Sequence, residues 1–290
     1  MAELLARHAD SSLNFDVELM VSDETTITRA SLKSDIQRLF HHDEADVALL
    51  FFSGHGTENN LDGYLVTPDA TKYDEGVSLT EVLTMANSSK AREVVVILDS
   101  CMSGALGEVP AIGSNQSVLR EGVSILTASR AGQVSMEVGG RGLFTELVCG
   151  ALEGGAADVQ GNVTATSVYA YVQEALGPWD QRPLFKAHVA KLVPLRKAQP
   201  AVAPDVLRQL PGWFPTPDHM FPLDPSYEDT LEPRNEENEQ LFKKLQKCRD
   251  AKLVEAVDAE FMYFAARDST GCRLTPLGRH YWRLVEAGRI

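Results

Sequence analysis

A chain of 290 residues is long for one average domain and short for three, so one domain near 200 residues plus a smaller one is the expected organisation. With 44% hydrophobic and 23% charged residues it has the composition of an ordinary globular protein, which excludes the disordered and fibrous classes. The net charge of −14 argues against bulk attraction to nucleic acid or anionic lipid and fits a protein that receives basic molecules.

At the N-terminus, residues 1–11 carry no basic segment followed by an apolar stretch and cleavage site. No apolar run in the chain approaches the roughly 18 residues that a membrane-spanning helix needs. The expectation is a cytoplasmic address with no membrane partner. Residues 16–21 are the first strand-like run. A helix is expected over 28–40, a strand over 46–53, a helix over 78–86 and a strand over 93–99. A further strand follows over 122–128, then helices over 142–152 and 166–176. A fifth strand, antiparallel to the others, is expected over 186–193. Runs rich in Val, Ile and Leu that alternate with helical spacing predict an α/β fold with a mostly parallel sheet, its inner strands covered on both faces.

From Gln199 to Pro233 eight prolines interrupt the chain. Proline fixes φ and removes a backbone donor, so residues 197–234 are expected to be a proline-rich linker or an extended wrap. Trp213, Phe214 and Phe221 imply that it packs against something. Helical spacing resumes after Asn235, with a strand-like stretch over 260–265 and a last helix after Pro276. This order suits a winged helix over 235–290. That segment holds 10 Lys and Arg against 9 Asp and Glu, so the acidity of the chain belongs to the rest. Lys243, Lys244, Lys247 and Arg249 cluster in its first helix, but a net of about +1 offers little counterion release. Protein docking is therefore preferred over nucleic-acid binding.

Two expected strands end in reactive side chains. The run Val47 to Phe52 leads into Ser53-Gly54-His55-Gly56, and Val94 to Leu98 leads into Asp99-Ser100-Cys101-Met102-Ser103-Gly104. In open parallel sheets functional groups gather at the carboxyl ends of strands, and a crossover between neighbours brings His55 and Cys101 together there. A thiolate is the nucleophile, and an imidazole beside it takes the thiol's proton and returns one to a leaving amine. Gly54, Gly56 and Gly104 let the backbone approach a substrate closely and leave N–H groups unhindered.

In motif chemistry and in the 46-residue separation of histidine and cysteine, residues 13–195 resemble the caspase and metacaspase clan of cysteine peptidases. The cysteine motif is closer to the metacaspase DSCxSG than to the caspase QACxG. The resemblance implies a caspase-like α/β/α sandwich over residues 1–196. It makes Cys101 the nucleophile, His55 the general base and acid, and the amides of Gly56 and Cys101 the oxyanion hole. It also makes Asp99 the floor of the pocket for the side chain preceding the scissile bond. An acid there implies a basic substrate residue, with Arg favoured through bidentate pairing and Lys as the weaker alternative. The stretch from Thr127 to Glu137 looks like the segment that completes this pocket, contributing Ser129 and Glu137, although Ala131 stands where a second aspartate is expected. The clan's usual first strand, an apolar run ending in Gly-Ile-Asn, has no counterpart before the first helix.

The expected partners are a protein substrate with an exposed Arg or Lys and an upstream protein activator, in a prokaryotic stress or antiphage context reached by fold-level analogy alone. Arg120, Arg130 and Arg141 are the candidate autocleavage positions; the connection after Cys101 is short enough to favour a single-chain enzyme. Cys149, Cys248 and Cys272 read as packing residues, and the four thiols form no disulfide framework. His41 and His42 lack ligand-spaced partners, so no metal or other cofactor is expected. The acids Asp43, Glu44 and Asp46, with Asp62, Asp69 and Asp74, invite calcium by the same resemblance, but a solvated acidic face is preferred. The alternatives to an active peptidase are a catalytically silent scaffold on the same fold and a DNA-binding regulator acting through the C-terminal module.

Overall fold

The structure, a computed structural model, describes residues 1–22, 26–42, 45–59, 62–100, 119–128, 137–138, 141–176, 183–189 and 193–290. At 137, 138 and 141 it describes the backbone alone. The chain divides into two compact units, residues 1–157 with 162–198, and residues 158–161 with 199–290.

In chain order the first unit begins with α1 (Ala2–Ala6), α2 (Arg29–Phe40), β1 (Val47–Ser53), β2 (Gly56–Glu58), β3 (Gly63–Thr71), β4 (Asp74–Ser78), α3 (Leu79–Ser88) and β5 (Glu93–Asp99). It continues with β6 (Val123–Thr127), β7 (Glu137–Val138), β8 (Arg141–Gly142), α4 (Leu143–Gly150), a π-helical turn (Ala151–Gly155), β9 (Asn162–Val163), α5 (Ala165–Leu176), β10 (Leu184–His188) and β11 (Arg196–Lys197). Among the described residues, four strands form the main sheet in the order β1-β5-β6-β10. The first three are parallel and β10 runs antiparallel to β6.

All seven residues of β5 and all five of β6 are buried, as strands covered on both faces must be. Alternation along β5 sends Val94, Val96 and Leu98 into one core with Leu32, Ile36 and Phe40 of α2 and Val82 and Leu83 of α3. Val95 and Ile97 enter the opposite core with Phe144 and Val148 of α4 and Val168 and Val172 of α5. Each such aliphatic side chain contributes roughly 1.5–3 kcal/mol on burial. Helices α2 and α3 start where their sequences signal it. Thr28 with Ser31 and Ser78 with Glu81 form reciprocal capping boxes that satisfy otherwise orphaned first-turn amides.

The structure departs from these expectations at several points. Residues 16–21 alternate like a strand but pair with no strand among the described residues; Phe15 and Val17 pack into one core and Met20 into the other without a ladder. The hairpins β2-β3-β4, between the His55 loop and α3, were not expected at all. A further correction concerns the segment expected as a linker, which is built into the second unit.

That unit contains α6 (Pro204–Leu207), α7 (Leu210–Trp213), β12 (Met220–Pro222), a 3-10 turn (Pro225–Tyr227), α8 (Glu236–Asp250), β13 (Val254–Val257), α9 (Met262–Arg267), β14 (Gly271–Leu274) and α10 (Pro276–Glu286). Its sheet is antiparallel, in the order β12-β14-β13, so the proline-rich segment supplies an edge strand. Val202, Leu207, Leu210, Phe214 and Leu223 from that segment are buried with Phe242, Leu245, Met262 and Leu274. The Trp282 indole N–H donates to the Phe214 carbonyl at 2.7 Å. Prolines here start short helices at N1 or N2 or sit on the sheet edge, where their missing donor costs nothing. The strand-like stretch at 260–265 falls largely in helix α9, and the strand lies earlier, at β13.

Candidate active site

β1 and β5 end on a common rung, Ser53 opposite Asp99. Their pairing extends one step further, because the Gly54 N–H donates to the Asp99 carbonyl at 3.1 Å. His55 follows immediately and is exposed. In sequence, Cys101 is two residues past Asp99 as His55 is two past Ser53; Cys101 itself lies outside the described residues.

The backbone just after His55 has a specific polarity. The Val66 N–H donates to the His55 carbonyl at 3.0 Å, which makes these two a hydrogen-bonded pair. The next rung, Gly56 opposite Leu65, is then a non-bonded one, and in an antiparallel ladder the Gly56 N–H is directed away from β3.

Asp99 closes β5 with 8% of its surface exposed. Its Oδ2 accepts a hydrogen bond from the hydroxyl of Thr145, the third residue of α4. The N-cap of that helix is Gly142, which has no capping side chain, so Asp99 brings a carboxylate to a helix end whose amides and dipole favour one. A side chain at 142 would crowd the carboxylate, since a Cβ there would lie 2.7 Å from Asp99 Oδ2. Gly142 is also the residue opposite Glu137 in the β7-β8 hairpin. The structure thus brings the backbone of one expected pocket residue, Glu137, to the glycine that touches the other, Asp99. Gly142 and Thr145 were missed from sequence, since nothing local to either announces a partner more than 40 residues away.

Other expected positions fare differently. Ser129, Arg130 and Ala131 lie outside the described residues, as do Asp43 and Glu44 and the connection over 102–118. Arg141 is in β8 by its backbone. Arg120, expected as an autocleavage position, has its guanidinium tied to the carbonyls of Glu121 at 2.6 Å and Ala91 at 2.8 Å, and its own N–H bonded to Asn87. That anchored arginine is a structural brace for the turn into β6. Gly122 beside it adopts φ +89°, and a Cβ there would approach the Arg92 carbonyl to 2.2 Å.

Of the acids weighed for calcium, the four among the described residues each have a partner. Asp62 accepts from the amides of Gly63 and Thr80. Asp69 accepts from the Thr67 hydroxyl and the Arg29 amide, and these bonds hold its carboxyl below the usual value. Asp74 pairs with Arg29 at 2.6 Å and Asp46 with Arg92 at 3.3 Å. Among the described residues no group of three His, Cys, Asp or Glu side chains could hold a metal, and no helix is long and apolar enough to cross a membrane.

Cys149, Cys248 and Cys272 are free thiols. Cys248 and Cys272 are fully buried in the second unit, and burial pushes both up to about 12, out of the reactive range. In the basic cluster of α8, Lys243 pairs with Asp229 at 3.9 Å, Lys244 donates to Gln209 at 3.0 Å and Arg249 pairs with Asp250 at 3.3 Å.

A family model described as Peptidase_C14, the caspase domain, matches residues 2–197. Among solved structures, caspase-1 from Spodoptera frugiperda is similar at 14% identity and a TM-score of 0.41, over 60% of this chain and 73% of that one. No curated protein matches the chain.

Proposed function

Since the chain belongs to the caspase-domain family of cysteine-type endopeptidases, we propose that Cys101 and His55 are its catalytic dyad and that it cuts protein substrates after a basic residue. The observation that carries this reading is the shared end of β1 and β5. With Ser53 opposite Asp99, and Gly54 bonded to Asp99, each reactive residue follows its strand by the same two positions.

In the reaction the Cys101 thiol gives its proton to the His55 imidazole, and the thiolate attacks the scissile carbonyl carbon. The carbonyl oxygen becomes an oxyanion, for which the outward-directed Gly56 N–H and the Cys101 N–H are the donors. Collapse of the tetrahedral adduct breaks the C–N bond, His55 returns the proton to the departing amine, and a thioester remains. Water then attacks the thioester with His55 as base, releasing the acid and restoring the thiol.

Substrate selection is assigned to Asp99, with Ser129 and Glu137 as the further pocket residues. A carboxylate with little exposed surface pairs strongly with a desolvated cation and poorly with an acidic or apolar side chain. The second unit is read as the module that receives an upstream protein activator. Engagement of three of the four α8 cations by neighbouring side chains supports that reading over nucleic-acid binding.

The test is hydrolysis of fluorogenic peptides ending in Arg, Lys or Asp by the full chain and its Cys101→Ala, His55→Ala and Asp99→Asn variants, with and without calcium. Cleavage after Arg or Lys should be lost in all three. Cleavage after Asp would overturn the pocket assignment, and basic cleavage that survives Cys101→Ala would overturn the dyad.

A further inference from the structure

Bidentate pairing of a guanidinium needs both oxygens of a carboxylate presented to the same side. At Asp99 the two oxygens are not equivalent. Oδ2 accepts the Thr145 hydroxyl, and the same oxygen is covered by Gly142, so close that even a methyl group on that residue would clash. Both neighbours belong to the start of α4, so Oδ2 faces the helix. Oδ1 stands further off, 3.5 Å from the same added Cβ, and the residue keeps 8% of its surface exposed.

We propose that Thr145 is a specificity-determining positioning residue: by holding Oδ2 against α4 it leaves Oδ1 as the single oxygen offered to a substrate cation. The pocket then accepts lysine about as well as arginine. This rests on the assignment of Asp99 to the substrate pocket, and it replaces the Arg preference that an unobstructed carboxylate implies. One oxygen gives an ammonium and a guanidinium equal numbers of charge-assisted contacts. The planar fork of arginine, which normally wins through its second bond, gains nothing from an oxygen already turned away.

The threonine is suited to this role by its position. As the third residue of α4 its hydroxyl is carried by a helix whose Phe144 and Val148 are locked in the core, so the donor does not follow the carboxylate if the latter moves. A serine keeps the donor. A valine keeps the shape and removes it.

The experiment is the ratio of kcat/KM for matched Arg and Lys peptides in the wild type, Thr145→Val and Thr145→Ser, with Asp99→Asn alongside and thermal melts of each. The wild-type ratio should lie within about threefold of one. Thr145→Val, with Oδ2 free to turn outward, should move it about tenfold toward Arg, mainly through KM for the Arg peptide, and Thr145→Ser should restore it. A threonine that merely supports the fold would depress both peptides equally, so an unchanged ratio in Thr145→Val overturns the inference. A wild type that prefers Arg by more than about thirtyfold overturns it as well. Failure of the underlying assignment is distinguishable, because cleavage after basic residues would then survive Asp99→Asn.

Discussion

Replacing Glu93 by glutamine should make the protein more stable at pH 8 and leave it unchanged near pH 4. Glu93 opens β5, at the end of the strand opposite Asp99, and is 1% exposed. Its Oε2 accepts the Val193 N–H at 2.9 Å, while Oε1 is buried with no hydrogen-bond partner among the described residues. Burial raises the carboxyl above its ordinary value of 4.5, and the Val193 amide pulls it only partly back. A carboxyl that holds its proton more tightly when folded contributes stability that is complete below the unfolded value. That contribution is lost as pH rises through the folded one. Leaving one buried oxygen unsatisfied costs about 1–3 kcal/mol, more when it is charged. For a unit of this size each kcal/mol is about 2–4 °C in Tm, so Glu93→Gln should melt about 2–12 °C above the wild type at pH 8. The assay is circular-dichroism melting from pH 4 to 8, with peptide hydrolysis at 25 °C as the control that the distant site is intact. A Tm difference that stays constant across that range, or a variant less stable at pH 8, would refute the reasoning.

Gly142→Ala tests the close approach at Asp99 without straining the backbone, since Gly142 has φ −61° and ψ 131°, which alanine adopts freely. The new methyl group would displace the carboxylate, and cleavage after basic residues should fall about 10–100-fold in kcat/KM. Melting should drop by only a few degrees, because alanine is a poorer N-cap than glycine by about 1 kcal/mol. An unimpaired variant would show that Asp99 is not held as described. Alkylation of the native protein with iodoacetamide at pH 7.5, read by peptide mass mapping, should leave Cys248 and Cys272 unmodified, because buried thiols pushed up to about 12 offer almost no thiolate. Their rapid labelling under native conditions would contradict the core assigned to the second unit.

Much of the first unit was legible in the sequence because local patterns there report physical facts that do not depend on the partner. Runs rich in Val, Ile and Leu at 93–99 and 122–128 mark strands buried on both faces. Thr28 and Ser78 mark helix starts because a side-chain oxygen three residues before a backbone N–H caps it whatever lies around. His55 and Cys101 stood out because each follows an apolar run, His55 between two glycines after 47–52 and Cys101 in Asp-Ser-Cys after 94–98.

What only the tertiary structure decided is pairing across distance. Residues 16–21 alternate as well as many strands do, yet a strand exists only where another edge satisfies its backbone, and no periodicity within six residues reports that. Residues 260–265 were misassigned because a short apolar, aromatic stretch suits either state, and burial of Met262 and Ala265 with Leu253 and Cys272 in the second core goes with the helix. The prolines of 199–233 signalled breaks in regular structure, but not that residues 220–222 would pair with β14 or that Phe214 and Leu223 would complete a core. At the candidate site the sequence supplied the carboxylate of Asp99, while the direction in which its oxygens point was set by Gly142 and Thr145, 43 and 46 residues further on. A residue's chemistry is local, but its orientation belongs to whatever the fold packs against it.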